Sequence, residues 1–555
     1  MGGGAATNIF KAKMSDTPRE ALNWKLWYAV FTFGLMGAAR GIDEGLISGT
    51  IQQISFIRRY GLDDPDKSAD EIAQLTGNIT AMVQIGCVGG ALIAFLLCDR
   101  IGRVWAAREL CTIWIVGIVI FLTADGNIGQ VYAGRFIAGL GIGQTCVVAP
   151  TYLAEVAPRS IRGLCICMFS GSVYLGIMLA YFASWGSAKN IPNGDANQWI
   201  VPTTMHIMFA GIILILTIGV YESPRYFIKV GKVEKGRDVM SRIRKLPVEH
   251  PYVQTELLDI EDQLNREREA TLGAGWFGTI KELFLIPANR YRIHIGILSQ
   301  LLSQWSGANS VTIYAPEYFA LLGIKGQNEK LFATCIFGVV KLVSSLACAL
   351  FLVDFLGRKR ALGCGITLQF VSMLYVAILL SAVPELGAGD AALSGAKKNA
   401  ATGAIVFIYF SGAGWALGWN SIQYLINAEI FPLRVRALGS SLVMCFHFVN
   451  QYGNSKAVPL MLTMDSLKPQ GTFWFFAVVT LLGLLWMWLF LPETAGRSLE
   501  SMDALFSLPW HKIGRKGPLL AAETGGYAEA YHRGDLEKGP IELSQTARVE
   551  KVDER

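Results

Sequence analysis

Two stretches with the same pattern indicate how the chain is built. Residues 155–162 read EVAPRSIR and residues 429–436 read EIFPLRVR, so both follow the pattern E-x-x-P-x-x-x-R. Each stretch stands directly after a long apolar run, and the two are 274 residues apart. A repetition at this distance, in the same position relative to an apolar run, indicates an internal duplication.

Hydropathy divides the rest of the chain into two blocks of apolar runs. Of the 555 residues 52% are hydrophobic and only 17% are charged, whereas a soluble globular protein has about 25% charged residues. Since about 20 apolar residues span a bilayer, each block predicts six spans. The predicted spans are 27–51, 75–98, 105–124, 130–153, 163–185, 200–221, 293–316, 330–353, 361–383, 402–427, 437–462 and 472–491. The composition therefore predicts an all-α, polytopic membrane protein and excludes a soluble enzyme or a disordered chain.

The hydrophilic segments set the predicted domain boundaries. Within the segment that separates the two blocks, residues 234–243 and 253–268 predict short amphipathic helices. The predicted domains are a cytoplasmic N-terminal tail (1–24), an N-terminal six-helix bundle (25–221), a cytoplasmic linker (222–289), a C-terminal six-helix bundle (290–491) and a largely disordered cytoplasmic C-terminal tail (492–555).

A second pair of charged stretches supports the duplication. Residues 99–103 (DRIGR) follow span 2, and residues 354–359 (DFLGRK) follow span 8. All these stretches end even-numbered spans and lie on one face, which the positive-inside rule makes cytoplasmic. We interpret their acids and arginines as conformational latches that pair in one state and separate in the other; alternatively, they only anchor the helix ends. The predicted latch residues are Asp99, Arg103, Glu155, Arg162, Asp354, Arg358, Glu429 and Arg436.

Residue patterns typical of enzymes and metal sites are absent from the sequence. The ten cysteines lie in or at the edge of apolar runs, which favours packing over disulfides or metal ligation. No nucleophile–base spacing, H-E-x-x-H pattern or phosphate-binding loop appears. The net charge of +6 is too small to suggest a nucleic-acid partner. We therefore expect no enzymatic activity, no cofactor and no metal.

Together the motifs resemble the sugar porter family of the major facilitator superfamily over residues 27–496. Phe95 and Tyr221 depart from the family pattern, which usually has Gly and Pro at these positions. The segments that carry the resemblance are 41–49, 99–103, 133–143, 154–163, 304–317, 357–359, 429–432 and 492–494.

This resemblance implies twelve transmembrane helices in two six-helix bundles, with alternating access to a substrate site at the midplane. It also implies a monomer in the lipid bilayer of the plasma membrane with both termini in the cytoplasm. The chain looks similar to fungal proton-coupled transporters of sugars and of sugar acids of the galacturonate or quinate type.

A charged residue inside a membrane span raises the free energy of insertion by about 2.5–3.5 kcal/mol, so each such residue suggests a functional role. Asp43 and Arg135 match positions that proton-coupled sugar porters use as a pair. A proton on Asp43 would remove the charge that resists reorientation; alternatively, the two form a fixed buried pair. Glu44 is the weaker proton candidate, because helical geometry points it elsewhere.

Three further residues suggest a substrate with negative charge. In the alignment with the family, Arg40, Lys341 and His447 stand where an aromatic residue, Asn and Gln are usual. A cationic donor binds a carboxylate by a strong, charge-assisted hydrogen bond. Alternatively, Arg40 pairs with Glu44 four residues on, Lys341 snorkels or balances Asp43, and His447 is a neutral ligand.

Other positions complete the predicted substrate site. Gln304 and Asn309 match the family's sugar-binding Gln and Asn, whereas Ser170 and Tyr424 stand where Gln and Trp are usual. Tyr314 precedes Pro316 and is predicted to gate the outer side. The predicted function is proton symport of a monosaccharide-type substrate, in the first place a sugar acid such as D-galacturonate. The alternatives are a neutral hexose, pentose or polyol transporter and a nutrient sensor that does not transport.

Overall fold

Regular secondary structure in the described part of the chain is helical throughout. Several predicted features lie outside the described residues: the latch residues Asp354 and Glu429, the ligand Tyr424, residues 1–16 of the N-terminal tail, and residues 493–505 and 507–555 of the C-terminal tail. The computed structural model describes residues 17–158, 161–271, 276–348, 358–387, 395–420, 430–464, 467–492 and residue 506.

The first block of predicted spans folds into the N-terminal bundle. Its helix starts carry capping residues: Asn23 accepts hydrogen bonds from the backbone of Lys25 and Leu26, and Ser68 forms a capping box with Glu71. The helices are α1 (Trp24–Leu35), α2 (Gly37–Thr50), α3 (Ile54–Tyr60), α4 (Ala69–Ile101), α5 (Arg103–Leu122), α6 (Ile128–Val156), α7 (Arg162–Asn190), α8 (Asn197–Thr203) and α9 (Met205–Leu216), with 3-10 turns at Arg19–Leu22 and Thr217–Gly219.

Four helices follow the N-terminal bundle, and two of them cover the segments for which short amphipathic helices are predicted. Arg244 at the end of one pairs with Glu256 of the next at 2.8 Å and donates to the carbonyl oxygen of Val156 at 2.9 Å. This contact fixes the linker helices to the N-terminal bundle. The helices are α10 (Pro224–Lys229), α11 (Val233–Arg244), α12 (Pro251–Thr271) and α13 (Trp276–Leu285).

The second block forms the C-terminal bundle. Predicted span 7 is divided into three helices: the chain turns at Gly307, whose φ of 85° lies in the left-handed region that favours glycine, and again at Tyr314 before Pro316. The helices are α14 (Pro287–Trp305), α15 (Ala308–Ile313), α16 (Ala315–Leu321), α17 (Gln327–Ala347), α18 (Arg358–Ala382), α19 (Pro384–Gly387), α20 (Ala396–Leu417), α21 (Leu433–Thr463) and α22 (Lys468–Phe490).

Nine helical segments in the described residues are long and apolar enough to cross a membrane. They correspond to predicted spans 2–6, 8–10 and 12. The other three predicted spans differ for a physical reason. Span 1 is divided between α1 and α2 at Met36, span 7 is broken twice, and α21 carries buried polar side chains such as His447, Gln451 and Asn454.

The two bundles approach closely where small residues face them. A methyl group added to Gly77 of α4 would lie 2.8 Å from the carbonyl oxygen of Lys456 in α21. One added to Gly338 of α17 would lie 3.0 Å from the backbone of Met178 in α7. Small residues allow such contacts between helices in a bilayer.

We call the two ends of the molecule the Glu317 end and the Asp99 end, after a residue at each.

Candidate substrate and proton site

A small cavity lies between the two bundles. Its volume is about 10 Å³, which is room for roughly one water molecule. A monosaccharide therefore needs the bundles to move apart before it can enter. The lining residues come from both bundles: Arg40 and Glu44 of α2; Val173, Tyr174 and Ile177 of α7; Asn309 and Thr312 of α15; Lys341 of α17; Trp415 of α20; and Asn420.

A glycine face on α2 determines where its charged residues point. Gly37, Gly41, Gly45 and Gly49 recur every four residues and pack on α7, where a methyl group at Gly41 would collide with the carbonyl oxygen of Val173. Since residues four apart share a helix face, Arg40 and Glu44 lie together on a neighbouring face. That face meets the cavity.

Arg40 and Glu44 are the start of a polar chain across the bundle interface. Arg40 Nε donates to Glu44 Oε1 at 2.9 Å, and Gln451 Nε2 of α21 donates to the same oxygen at 2.8 Å. Gln451 Nε2 also lies 3.1 Å from Asn309 Oδ1. Glu44 points away from the Asp43–Arg135 pair, as helical geometry predicts, and lies in the cavity lining. The alternative pairing of Arg40 with Glu44 is confirmed.

Lys341 is a buried cation that faces the cavity without a carboxylate partner among the described residues. Its ammonium donates to Thr312 Oγ1 at 2.6 Å and lies 5.2 Å and 5.3 Å from the ring centroids of Tyr174 and Phe337. Only 2% of the residue is exposed, which excludes snorkelling to the membrane surface in this conformation. Asp43 is engaged elsewhere, so Lys341 does not balance it.

Asp43 pairs with Arg135 inside the N-terminal bundle. The two Nη–Oδ distances are 3.4 Å and 3.5 Å, and Arg135 Nη2 also lies 3.4 Å from the carbonyl oxygen of Thr80. These distances exceed the roughly 2.7–2.9 Å of a strong charge-assisted hydrogen bond. Neither side chain is more than 3% exposed, and neither lines the cavity.

His447 lies in the core of the C-terminal bundle and not in the cavity lining, contrary to its predicted contact with substrate. Its Nδ1 lies 2.8 Å from Gln300 Oε1 and 3.3 Å from Gln304 Nε2. Gln304 is likewise fully buried behind the cavity. Within the described residues Gln300 Nε2, Gln304 Oε1 and Asn420 Nδ2 are buried atoms without a hydrogen-bond partner. The predicted ligand Asn309, in contrast, does line the cavity.

Ser170 and Tyr314 occupy other places. Ser170 is half-buried on α7 outside the cavity lining. The Tyr314 hydroxyl lies 2.7 Å from Thr80 Oγ1 of the N-terminal bundle and 2.6 Å from the carbonyl oxygen of Ser455 in α21. Tyr314 therefore joins the two bundles on the Glu317 side of the cavity.

Sequence reasoning did not assign a substrate role to several residues in or beside the cavity. Spacing offers a signal for three of them: Tyr174 follows Ser170 by four residues, Thr312 follows Asn309 by three, and Gln451 follows His447 by four. Trp415 and Asn420 also line the cavity.

The predicted latch residues that can be placed form contacts inside the N-terminal bundle. Arg103 donates to Asp99 at 3.0 Å and to Glu155 at 2.8 Å. Glu222, beyond the last span of this bundle, accepts hydrogen bonds from the backbone N–H groups of Arg103 and Val104, while burial raises the pKa of its carboxyl.

The other predicted latch residues give less information. Arg162 is exposed at the start of α7, and Arg358 and Arg436 lie in helices whose side chains at these positions are outside the described set. Among the described residues, the contacts at the helix ends thus lie within the N-terminal bundle or join it to the linker. An example is the ion pair of Lys229 with Asp99 at 2.7 Å.

The family model for sugar (and other) transporters matches residues 29–506 of this chain. The chain belongs to this family. Quinate permease of Emericella nidulans is 29% identical over 500 residues, which cover 89% of this chain and 91% of that protein. A probable quinate permease of Aspergillus terreus is 29% identical over 541 residues, which cover 97% of each chain. The protein is therefore a transporter and not an enzyme.

Solved structures of the xylose transporter XylE share the fold. The proton:xylose symporter XylE bound to 6-bromo-6-deoxy-D-glucose superposes with a TM-score of 0.71 at 23% identity, covering 87% of this chain and 99% of that one. A partially occluded inward-open form of XylE from E. coli gives a TM-score of 0.70 at 21% identity, covering 86% and 100%. This sugar transporter is thus an all-helical, multi-pass membrane protein with the major facilitator fold, and nine helices of its described part are long and apolar enough to span the membrane.

Proposed function

We propose that this transporter imports a ring-shaped polyol or sugar that carries one carboxylate, together with a proton. The observation that carries the proposal is Lys341, a cation in the cavity with hydroxyl and aromatic contacts but no carboxylate among the described residues. An unpaired buried charge is costly. A substrate carboxylate supplies the missing counter-ion through a charge-assisted hydrogen bond.

The rest of the cavity suits the hydroxyl groups of such a substrate. Asn309, Asn420 and Thr312 offer amide and hydroxyl groups, and Tyr174 and Trp415 offer ring faces. D-Galacturonate and quinate both combine ring hydroxyls with one carboxylate. The relatives named quinate permeases favour quinate as the first substrate to test.

Proton coupling is assigned to Asp43 and Arg135. Protonation of the Asp43 carboxyl would neutralise it and release Arg135, which already lies at a long distance from it. The solved symporter of the same fold is proton-coupled by its own description, and the buried pair here offers a carboxylate in a position to take that role. In this proposal the proton enters from the Glu317 end and leaves at the Asp99 end.

The remaining assignments concern the arrangement in the membrane. We place the Asp99 end, both chain termini and helices α10–α13 in the cytoplasm, and the protein as a monomer in the plasma membrane. The boundaries of the bundles, linker and tails follow the hydropathy pattern. The arginine and acid residues at the helix ends, Arg103 and Glu155 among them, stabilise one state of the transport cycle.

One observation favours the second candidate, a carrier of neutral sugars. Arg40 is paired with Glu44, so among the described residues that line the cavity Lys341 is the one cation without a carboxylate partner, in place of the three cationic ligands that the sequence suggested. A neutral substrate would use the amides alone and leave Lys341 with Thr312.

Uptake by a host cell without its own sugar carriers distinguishes the two candidates. Labelled quinate, galacturonate, glucose and xylose are supplied at acidic and neutral pH, with and without a protonophore. The expected result is acid uptake that rises at acidic pH and collapses with the protonophore, inhibited by other ring acids. Glucose or xylose uptake that no ring acid inhibits would overturn the proposal.

A further inference from the structure

Glu44 is a carboxylate within the cavity that the proposed substrate must enter. Its Oε1 accepts from Arg40 of its own helix and from Gln451 of the opposite bundle. Both Glu44 and Lys341 line the same cavity of about 10 Å³. A substrate carboxylate that reaches Lys341 therefore comes close to the Glu44 carboxylate.

Two carboxylates at such short range do not remain ionised together without cost. Like charges that share a site favour uptake of one proton by the pair. The substrate, held by Lys341, keeps its charge through that contact, so Glu44 is the group that takes up the proton. An ionised Glu44 in contrast favours the empty cavity, because it neutralises Arg40.

The groups around Glu44 support this assignment. Asp43 is next to it on α2 and has Arg135 as its own partner. Arg40 pairs with Glu44, and its Nη2 also donates to Gln451 Oε1 at 3.3 Å. Among the described residues, the other titratable groups that interact electrostatically with Glu44 include thiols and a phenol, besides the ammonium of Lys341. They are Cys87 of α4, Cys146 of α6, Tyr181 of α7 and Lys341 of α17.

We propose that Glu44 is a displaceable counter-ion: it holds Arg40 in the empty cavity, and on taking up a proton it releases the Arg40 guanidinium to the substrate carboxylate. The proton comes from the aqueous phase on the side where the substrate enters, and it binds a carboxylate oxygen of Glu44. The Arg40–Glu44 ion pair is lost and an Arg40–substrate ion pair forms. Release of substrate on the other side returns the proton to solution and restores the first pair.

The same event loosens a contact between the bundles. Gln451 Nε2 donates to both Glu44 and Asn309, and a neutral carboxyl accepts a weaker hydrogen bond than a carboxylate. Proton uptake at Glu44 thus weakens a link between α2 and α21 when the substrate is bound. Asp43 has no such contact with the C-terminal bundle in the described residues.

This inference rests on the proposed function, and a binding experiment separates the two. The Kd of quinate is measured on the purified full-length protein across a pH range in which quinate stays ionised. In the wild type the affinity falls by up to about tenfold per pH unit as the pH rises, because binding takes up one proton. In Glu44→Gln, which mimics the protonated group, the affinity stays high and no longer depends on pH.

Two variants serve as controls. Glu44→Asp keeps a carboxylate and is expected to keep the pH dependence, as is Glu234→Gln, which changes a carboxylate exposed on α11. Thermal unfolding of each variant verifies that it is folded.

Two results would overturn the inference. If folded Glu44→Gln retains the pH dependence of the wild type, or loses binding, Glu44 is not the displaceable group, and the proposed function stands on the wild-type result. If the wild type binds neutral sugars but no ring acid, both the proposed function and this role of Glu44 are wrong.

Discussion

The two faces of the cavity carry their charges in different ways. On the N-terminal bundle each positive charge at the site has a carboxylate: Arg135 has Asp43, and Arg40 has Glu44. On the C-terminal bundle Lys341 has a hydroxyl and two rings, and no described carboxylate. The paired charges can exchange a partner for a proton, whereas the unpaired charge can accept a partner from outside.

Energetics explains why this difference points to two roles. Burial of an ion pair is opposed by the desolvation of both groups, and their mutual attraction offsets part of this free energy. A single buried charge has no partner whose attraction offsets its desolvation. A protein that retains Lys341 in a membrane cavity therefore gains from it in another state of the cycle. We assign proton coupling to the N-terminal face and recognition of the carboxylate to the C-terminal face.

We expect the largest effect from Asp43→Asn, a change in the N-terminal bundle, where Arg135 and Arg40 have carboxylate partners. Without a titratable group next to Arg135, the proton carried by Asp43 is lost and only the proton proposed for Glu44 remains, so the acid accumulates to a much lower ratio against its gradient, while exchange of labelled for unlabelled substrate persists. Time courses of uptake and counterflow in proteoliposomes measure the two. Asp66→Asn, on an exposed loop, is the control that accumulates normally. Undiminished accumulation in Asp43→Asn would place the coupling group elsewhere.

The second largest effect is expected at Lys341, the cation of the C-terminal bundle that has no described carboxylate partner. Lys341→Met keeps the length and apolar character of the side chain and removes its charge. The loss of a hydrogen bond to a charged group, about 1.5–3 kcal/mol, raises the KM for the acid about 10- to 150-fold. Initial uptake rates give this value, with the exposed Lys325→Met as control. An unchanged KM in Lys341→Met would remove Lys341 from the substrate site.

A smaller effect is expected from the pairing of Arg40 with Glu44. Arg40→Met leaves the Glu44 carboxylate without its partner, so it repels the acid, and Glu44→Gln in the same protein relieves this. The double variant should therefore transport the acid better than Arg40→Met alone, by a coupling energy of about 0.5–3 kcal/mol. The uptake rates of the wild type, Arg40→Met, Glu44→Gln and the double variant together give this coupling energy. Strictly additive effects would show that the two side chains act independently.

The smallest effect belongs to Ser170, which the sequence placed in the substrate site. Its position outside the cavity lining predicts that Ser170→Ala changes the KM by no more than about twofold, the range of substitutions away from special features. Uptake kinetics test this directly. A loss of tenfold or more would mean that α7 turns Ser170 toward substrate in another state.

The sequence was sufficient for features that depend on local composition. The bilayer requires apolar runs of a set length, so the spans were evident, and the α11 and α12 helices followed from their charge pattern. The contact between Arg40 and Glu44 was foreseen as an alternative, because i and i+4 side chains meet on any helix.

Features that depend on packing between helices could not be predicted in the same way. The direction of Glu44 follows from the glycine face that packs α2 on α7, and a single sequence does not show which neighbour that face meets. Likewise His447 contacts Gln300 and Gln304 outside the cavity lining, whereas Gln451 contacts Glu44 and Asn309, which line the cavity. Because His447 and Gln451 are both polar and lie on the same helix, the sequence does not show which of them contacts the residues that line the cavity.

The central claim, that Lys341 recognises a substrate carboxylate, is tested most directly by comparing an acid with its uncharged ester. The Kd values of quinate and its methyl ester are measured on the purified wild type and on Lys341→Met. We expect the wild type to bind the acid at least about tenfold more tightly than the ester, and Lys341→Met to reduce this preference by about the same factor. Equal binding of acid and ester by the wild type, or an unchanged preference in Lys341→Met, would contradict the account.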